Sequence, residues 1–403
     1  MPKAKSAPPN QHAQDKPTAS TRRSFLKVAA AGSLLTLGNG CEQPAEELVV
    51  EEDTPFFKDT SPFIAHGTNN LESRIEELGG FITPNDQFFV RNNSNSIDVD
   101  VDSYALVIEG DAVNTSITLT YTDLINMPSK SVYAYIECGG NQRSFFGSTM
   151  GKPARGTQWA RGGVGMAIWT GVPLRDVLNR AGITDAALDV QLIGLDDESP
   201  EGGFRRPIPL QKALDEDTIL AYQMNGASLP KDHGYPVRAI VPGWVGSSNI
   251  KWLGKINVSS TRVWSRNNTS SYVLIGDDFT PEGESKGQVA TTQSIKSTLI
   301  LPWPAKLRAG KQMVRGYAYS PHAPIASVKW RQQTGDWAEA RFIDPPIKYA
   351  WRRFEFEWTP EAGDHTLTTI ATDAAGNTQP ASIPHNEKGY LYNVPLVHPI
   401  TVS

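Results

Sequence analysis

The chain is 403 residues long, with 43 acidic and 38 basic side chains, a net charge of −5, 39% hydrophobic and 9% aromatic residues, and two cysteines. A chain of this length predicts two or three domains with sizeable cores, and the acidic balance excludes a nucleic-acid binder that works through a basic surface. Cys41 ends an export-like N-terminus, so the folded protein is expected to carry one thiol, Cys138, and no disulfide framework.

Residues 1–20 are rich in Pro, Ala, Gln, Lys and Ser, a disordered composition. The text STRRSFLK at 20–27, followed by an apolar run over 28–37, is a twin-arginine export pattern. A membrane span needs ~20 apolar residues, so this run predicts a leader over 1–40, a periplasmic destination and export of an already folded chain. Cys41, in GNGC, is an alternative site of lipid attachment. Gly38 stands where an aliphatic residue is usual in such sites, which favours simple cleavage. Loss of the leader takes the net charge to about −10.

Residues 41–70 contain Glu46, Glu47, Glu51, Glu52 and Asp53 and read as an acidic linker. LESRIEEL at 71–78 predicts a helix stopped by Gly79 and Gly80. FFVRNN at 88–93 reads as a strand end, 102–110 and 117–119 alternate as strands, and YTDLINMP at 121–128 predicts a short helix halted by proline. A β-type run at 131–136 leads into ECGGNQRS at 137–144. A strand that ends in cysteine and bends through two glycines presents the sulfur at the rim of a sheet, and Arg143 follows five residues later. By residue type alone, Cys138 is equally readable as a small buried hydrophobe.

The stretch 147–165 is glycine-rich without helical period, and GGVG at 162–165 lacks the lysine and βαβ setting of a phosphate loop. Residues 168–182 read as a turn and an amphipathic helix closed by Gly182, and 190–195 as a strand leading to Asp196. From about residue 291 short strands are expected at 313–319, 326–330, 353–358 and 366–372, with a turn at 373–377. Their spacing, and the strict alternation of RFEFEW at 353–358, predict an immunoglobulin-like sandwich. No two of the seven histidines lie three or four apart and no C-x-x-C-H occurs, which argues against a histidine-rich metal site and against covalently attached haem.

Three stretches, in this order, resemble the sulfite oxidase family of molybdopterin (molybdenum cofactor) oxidoreductases, and within it the bacterial exported sulfite dehydrogenase type. They are VRNN at 90–93, the cysteine loop at 137–144, and the run over 217–254 that contains DHGYPVRAIVPG and NIKWLG. The resemblance spans roughly residues 75–400. It implies an α+β molybdopterin-binding domain over 71–285, then an all-β immunoglobulin-like dimerisation domain over 286–403, assembled as a homodimer. Cys138 is implied as the metal ligand, a soft thiolate suited to molybdenum. Arg91, Arg143 and Arg352 (or, one residue on, Arg353) are implied as an anion pocket for sulfite, and Tyr272 as the residue that orients the reacting oxygen. Asn92, Asn93, Asp196, His233, Arg238 and Lys251 are the implied cofactor contacts, although histidine is common where Asn93 stands. An aspartate at 196 suits an amino-pyrimidine ring because it can accept two parallel N–H bonds.

The activity so implied is oxidation of sulfite to sulfate, with electrons leaving to an external acceptor such as a cytochrome c, because no haem or flavin domain accompanies the chain. The alternatives on the same centre are the molybdenum subunit of a thiosulfate- or sulfane-oxidising complex and a reductase of nitrate or sulfoxides. A cofactor-free secreted binding protein is the alternative of a different class. Arg143 favours free sulfite over a protein-bound sulfane, and the C-terminal domain argues against the shorter sulfoxide reductases. The leader and the loop cysteine together argue against a binding protein.

Overall fold

Cys138 follows directly on an eight-residue strand, Lys130–Glu137, in a computed structural model that describes residues 55–403. The expected leader over 1–40, Cys41 and the acidic stretch up to residue 54 lie outside the described residues.

Strand Lys130–Glu137 pairs antiparallel with Val164–Pro173, which pairs in turn with Ile219–Met224; Arg238–Ile240 and Ala227–Ser228 join the far side of Ile219–Met224. Alternation along the first strand divides its neighbours. Val132, Ala134, Ile136 and Cys138 share a core with Phe88, Phe89, Trp159 and Trp169, whereas Tyr135 packs with Tyr317, Tyr319 and Trp351 of the C-terminal region. A second sheet runs Ile117–Thr120, Ala105–Glu109, Leu253–Ser259, Asp189–Gly194, Arg205–Pro209, with Ala105–Glu109 and Leu253–Ser259 parallel. Helix Leu174–Ala181 buries Leu174, Val177, Leu178 and Ala181 in the core of this sheet, the i, i+3, i+4, i+7 pattern of one helical face. It stops where Gly182 takes the left-handed conformation, φ 69°.

The strands expected at 313–319, 326–330, 353–358 and 366–372 fall within Gln312–Tyr319, Ile325–Gln332, Arg352–Trp358 and Gly363–Asp373. They divide between a four-stranded and a five-stranded sheet. Leu299, Val314, Phe354 and Phe356 of the first meet Val328, Leu367, Ala371 and Ile400 of the second, so this region is a two-sheet sandwich with its own core.

Residues 71–285, expected as α+β, are mostly strands with five short α-helices among the described residues, the longest being Leu174–Ala181. Three further expectations are corrected. Residues 71–78 are not a helix, because Asn70–Ser73 pairs with Phe63–Ala65 and Val90–Arg91, and only the 3₁₀ turn Ile75–Glu77 follows. The reason lies in Glu72, which is buried and accepts the main-chain N–H groups of Ala160, Arg161 and Gly162; a solvent-facing helix would forfeit these bonds. The linker ends earlier than residue 70, since Phe63–Ala65 is already in that sheet and Phe57 N–H donates to Asp232. A domain boundary at 285/286 would split the hairpin of Val273–Leu274 with Gln288–Val289. Near the C-terminus the chain also returns to the cysteine loop, where Leu391 N–H donates to Gly139 O at 2.8 Å.

Candidate functional site

The loop after Cys138 is closed by its own backbone. Cys138 N–H donates to Gly163 O (2.8 Å), and Cys138 O accepts from Asn141 N–H (2.8 Å). Asn141 Oδ1 in turn accepts the N–H of Gly163 at 3.0 Å. Gln142 adopts φ 70°, a left-handed conformation that costs a non-glycine residue free energy and tends to occur where function demands it. A Cβ on Gly140 would lie 2.3 Å from an Arg143 guanidinium nitrogen, so a side chain there would have to displace the guanidinium. Cys138, 8% exposed, opens on a cavity lined also by Arg91, Lys251 and Tyr272.

Nine of the eleven expected site residues line that cavity: Arg91, Asn92, Asn93, Cys138, Asp196, His233, Arg238, Lys251 and Tyr272. At one end cationic groups converge, Arg238 buried and Lys251 partly so, with the partly buried Lys58 against His233. Lys251 Nζ donates to Asp232 O (2.8 Å) and to the side-chain oxygen of Asn92. The Arg238 guanidinium donates to His233 O and Asn249 O, both at 3.0 Å, and lies over the Trp169 ring. Lys58 Nζ lies 2.9 Å from His233 Nε2 and donates to the main-chain oxygens of Asn85 and Phe88. Burial, and secondarily the like charges around it, hold His233 well below the ordinary imidazole range, so its ring is neutral. Burial and then Arg238 likewise hold Lys251 well below its usual range, and burial pushes Lys58 down to about 8. An anion entering here would relieve each of these penalties.

The other side of the cavity is built on Arg91, whose guanidinium donates to Asn92 O and to Asn93 Oδ1 (3.3 Å). Arg91, Asn92 and Asn93 also border an open cleft that contains His66, Asn69, Asn70 and Gln158, so they stand where the cavity meets the outside. Asn93 Nδ2 donates to the Tyr272 hydroxyl at 3.5 Å. Tyr272 has a left-handed backbone, φ 53°, and its ring stacks on Tyr390 at 5.5 Å. Asp196 is buried at the cavity wall, yet its carboxylate already accepts from Ser199 Oγ and Phe204 N–H.

Two expected residues stand elsewhere. Arg143 is buried beneath the cysteine loop, donating to Lys388 O and Thr157 O, both at 2.7 Å, rather than lining the cavity. Arg352 belongs to the sandwich, where it donates to Asp344 O (2.8 Å) and Ile325 O (2.9 Å) and covers the Phe342 ring. Its neighbour Arg353 is paired with Asp344 and donates to Gly79 O. Sequence reasoning missed two residues that the fold supplies. Lys58 was hidden in an acidic stretch read as linker. Tyr390, whose hydroxyl burial raises to about 12, lies on a C-terminal segment without motif or period. Only the tertiary contacts reveal either.

A lone thiol and a set of cations on one cavity describe a protein that holds an anionic, metal-bearing cofactor. Among the described residues no three His, Cys, Asp or Glu side chains cluster to hold an ion by themselves. Residues 93–267 match the family described as oxidoreductase molybdopterin binding domain. The chain is 31% identical over 334 residues to mitochondrial sulfite oxidase of Macaca fascicularis, matching 78% of this chain and 60% of that one. It is 32% identical over 332 residues to sulfite oxidase of Gallus gallus, matching 78% of this chain and 72% of that one. The crystal structure of the sulfane dehydrogenase SoxCD from Paracoccus pantotrophus superposes with a TM-score of 0.73 at 26% identity, over 89% of this chain and 92% of that chain.

The chain belongs to the sulfite oxidase family of molybdopterin oxidoreductases, and it spans about 60% of the length of the mammalian relatives it matches. The site fits the cofactor that this membership implies. Arg238 Nε is buried with no hydrogen-bond partner among the described residues, beside two lysines whose charges burial disfavours, which is a setting for a phosphate. Cys138 offers a soft donor on the same cavity.

Proposed function

We propose that the protein is a periplasmic sulfite dehydrogenase that oxidises sulfite to sulfate at a mononuclear molybdenum centre and passes electrons to an external acceptor, a cytochrome c. The observation that carries this reading is the shared cavity of Cys138, Arg91, Arg238 and Lys251. The bound cofactor supplies oxygen-atom transfer and a two-electron store. Cys138 would contribute a thiolate to its metal, Lys58, Arg238 and Lys251 would neutralise its phosphate, and the neutral His233 ring would stand beside them as a hydrogen-bonding group. Arg91, at the junction with the open cleft, draws the oxyanion in and holds it through charge-assisted hydrogen bonds. The Tyr272 hydroxyl, hydrogen-bonded to Asn93, orients the reacting oxygen and moves a proton. The sandwich is read as an immunoglobulin-like dimerisation domain, and the twin-arginine leader fits export after the cofactor is inserted.

A second reading is oxidation of a sulfane carried by another molecule. It is favoured by the enclosure of Arg143, which leaves one less cation for a free oxyanion, and by the likeness to the sulfane dehydrogenase. One experiment separates these readings: molybdenum analysis with sulfite-dependent ferricyanide reduction, on wild type and Cys138→Ser matured in a molybdenum-replete host. About one molybdenum per chain, with sulfite turnover lost in the variant, supports sulfite oxidation. Molybdenum without sulfite turnover, but with turnover on a thiosulfate or persulfide donor, moves the reading to sulfanes. Molybdenum with nitrate or sulfoxide reduction makes the protein a reductase, and a matured chain without molybdenum makes it a binding protein.

A further inference from the structure

Glu137, the residue before Cys138, ends the strand in a wholly buried position. Its Oε1 accepts from Lys296 Nζ at 2.6 Å, Asn141 Nδ2 at 2.9 Å and the Tyr319 hydroxyl at 3.0 Å. Its main-chain oxygen accepts from Gln293 Nε2 at 2.6 Å. Lys296, 1% exposed, belongs to the sandwich strand Lys296–Leu299, and Tyr319 to the strand Gln312–Tyr319 that pairs with it. The sandwich therefore delivers a charge and a hydroxyl to the back of the cysteine loop. From Glu137 the bonds continue through Asn141 to Gly163, and these two residues hold the carbonyl and the N–H of Cys138. The loop is also closely backed, since a Cβ on Gly246 would lie 2.6 Å from Glu137 O.

Such a pair is a poor device for stability. Desolvating two charges is costly, and apolar residues of similar volume often serve as well or better. Here Glu137 Oε2 is buried with no hydrogen-bond partner among the described residues, a further cost. What the pair provides is direction: an ammonium, an amide and a hydroxyl meeting one carboxylate oxygen define its place more narrowly than apolar packing does.

We infer that Glu137 and Lys296 are positioning residues for Cys138, holding the cysteine loop in the geometry in which its thiolate meets the metal, so that the C-terminal sandwich is part of the metal site. The inference rests on the reading of Cys138 as the metal ligand.

The test replaces the pair by apolar residues, Glu137→Leu with Lys296→Met, beside the conservative Glu137→Gln, in the full chain. Three quantities are read: the urea midpoint, the iodoacetamide alkylation rate of Cys138 in cofactor-free protein (followed at its own peptide by mass), and the Mo(V) EPR signal of the matured protein. The double variant is expected to keep a near-wild-type midpoint, to alkylate about tenfold faster because the loop opens more readily, and to show an altered Mo(V) signal. Glu137→Gln, which keeps the acceptor for Asn141 and Lys296, is expected to restore the wild-type rate and signal. A folded double variant with wild-type alkylation and an unchanged signal overturns the inference and leaves the pair a packing feature. If the double variant does not fold, Glu137→Gln with Lys296→Met is read by the same outcomes. Failure of the metal reading shows separately, as molybdenum retained in Cys138→Ser, while alkylation of cofactor-free protein still reports on the positioning.

Discussion

The Arg143 guanidinium donates its Nε–H to the main-chain oxygen of Lys388, 2.7 Å away and 245 residues further along the chain. With its second bond to Thr157 O and its position over the Tyr390 ring, this arginine ties the cysteine loop, the 157 loop and the C-terminal segment together. The segment brings Tyr390 onto Tyr272, so one wall of the cavity depends on a bond made from beneath it.

Arg143→Ala leaves two carbonyls without their donor and a void in a buried position. The expected loss is about 2–4 kcal/mol, seen as a lower urea midpoint together with faster proteolysis within residues 385–392. An unchanged midpoint would show that the clamp is not structural.

Lys58 makes the stability of the cofactor-free protein pH-dependent. Burial lowers its pKa from 10.5 to about 8, so between these values the unfolded chain binds more protons than the folded one and stability rises with pH. The full penalty of a buried charge is present below pH 8 and fades towards 10.5, a span of about 3 kcal/mol at most. Thermal unfolding across that window should show the rise in wild type and a flatter curve in Lys58→Met. Cofactor binding should reduce the slope, since a phosphate favours the charged lysine.

Tyr272→Phe keeps the stack on Tyr390 and loses only the hydroxyl, whose bond from Asn93 is long at 3.5 Å. Stability should change by about 1 kcal/mol or less, molybdenum content should hold, and sulfite turnover should fall about a hundredfold if the hydroxyl moves a proton. Equal turnover in the variant would remove Tyr272 from the chemistry.

Arg352→Ala tests a residue that the chain's resemblance assigned to the anion pocket and that the fold uses elsewhere. Its bonds to Asp344 O and Ile325 O, and its cover of Phe342, predict a loss of about 1–3 kcal/mol in stability. The KM for sulfite should not change; a large rise in KM would return Arg352 to the substrate.

The sequence by itself determined the elements whose signal lies within a few residues. The strict alternation at 353–358 became a strand that buries Phe354, Phe356 and Trp358, although Glu355 between them is buried too and is paired with Arg315 and Arg341. The apolar spacing from Leu174 to Ala181 became a helix ended by Gly182, and a β-run closing in Cys-Gly-Gly became a sulfur at a cavity. Tertiary structure decided the rest. The 71–78 stretch looked helical, but the burial of Glu72 under three main-chain N–H groups sets its first residues in a strand, with only a 3₁₀ turn after it. Lys58 came to His233 across 175 residues, Lys296 to Glu137 across 159, and Arg143 to Lys388 across 245. Periodicity reports which face of an element is apolar, because that depends on the local backbone. Where a buried charge finds its partner depends on which distant strands the topology brings together, and no window of sequence contains that.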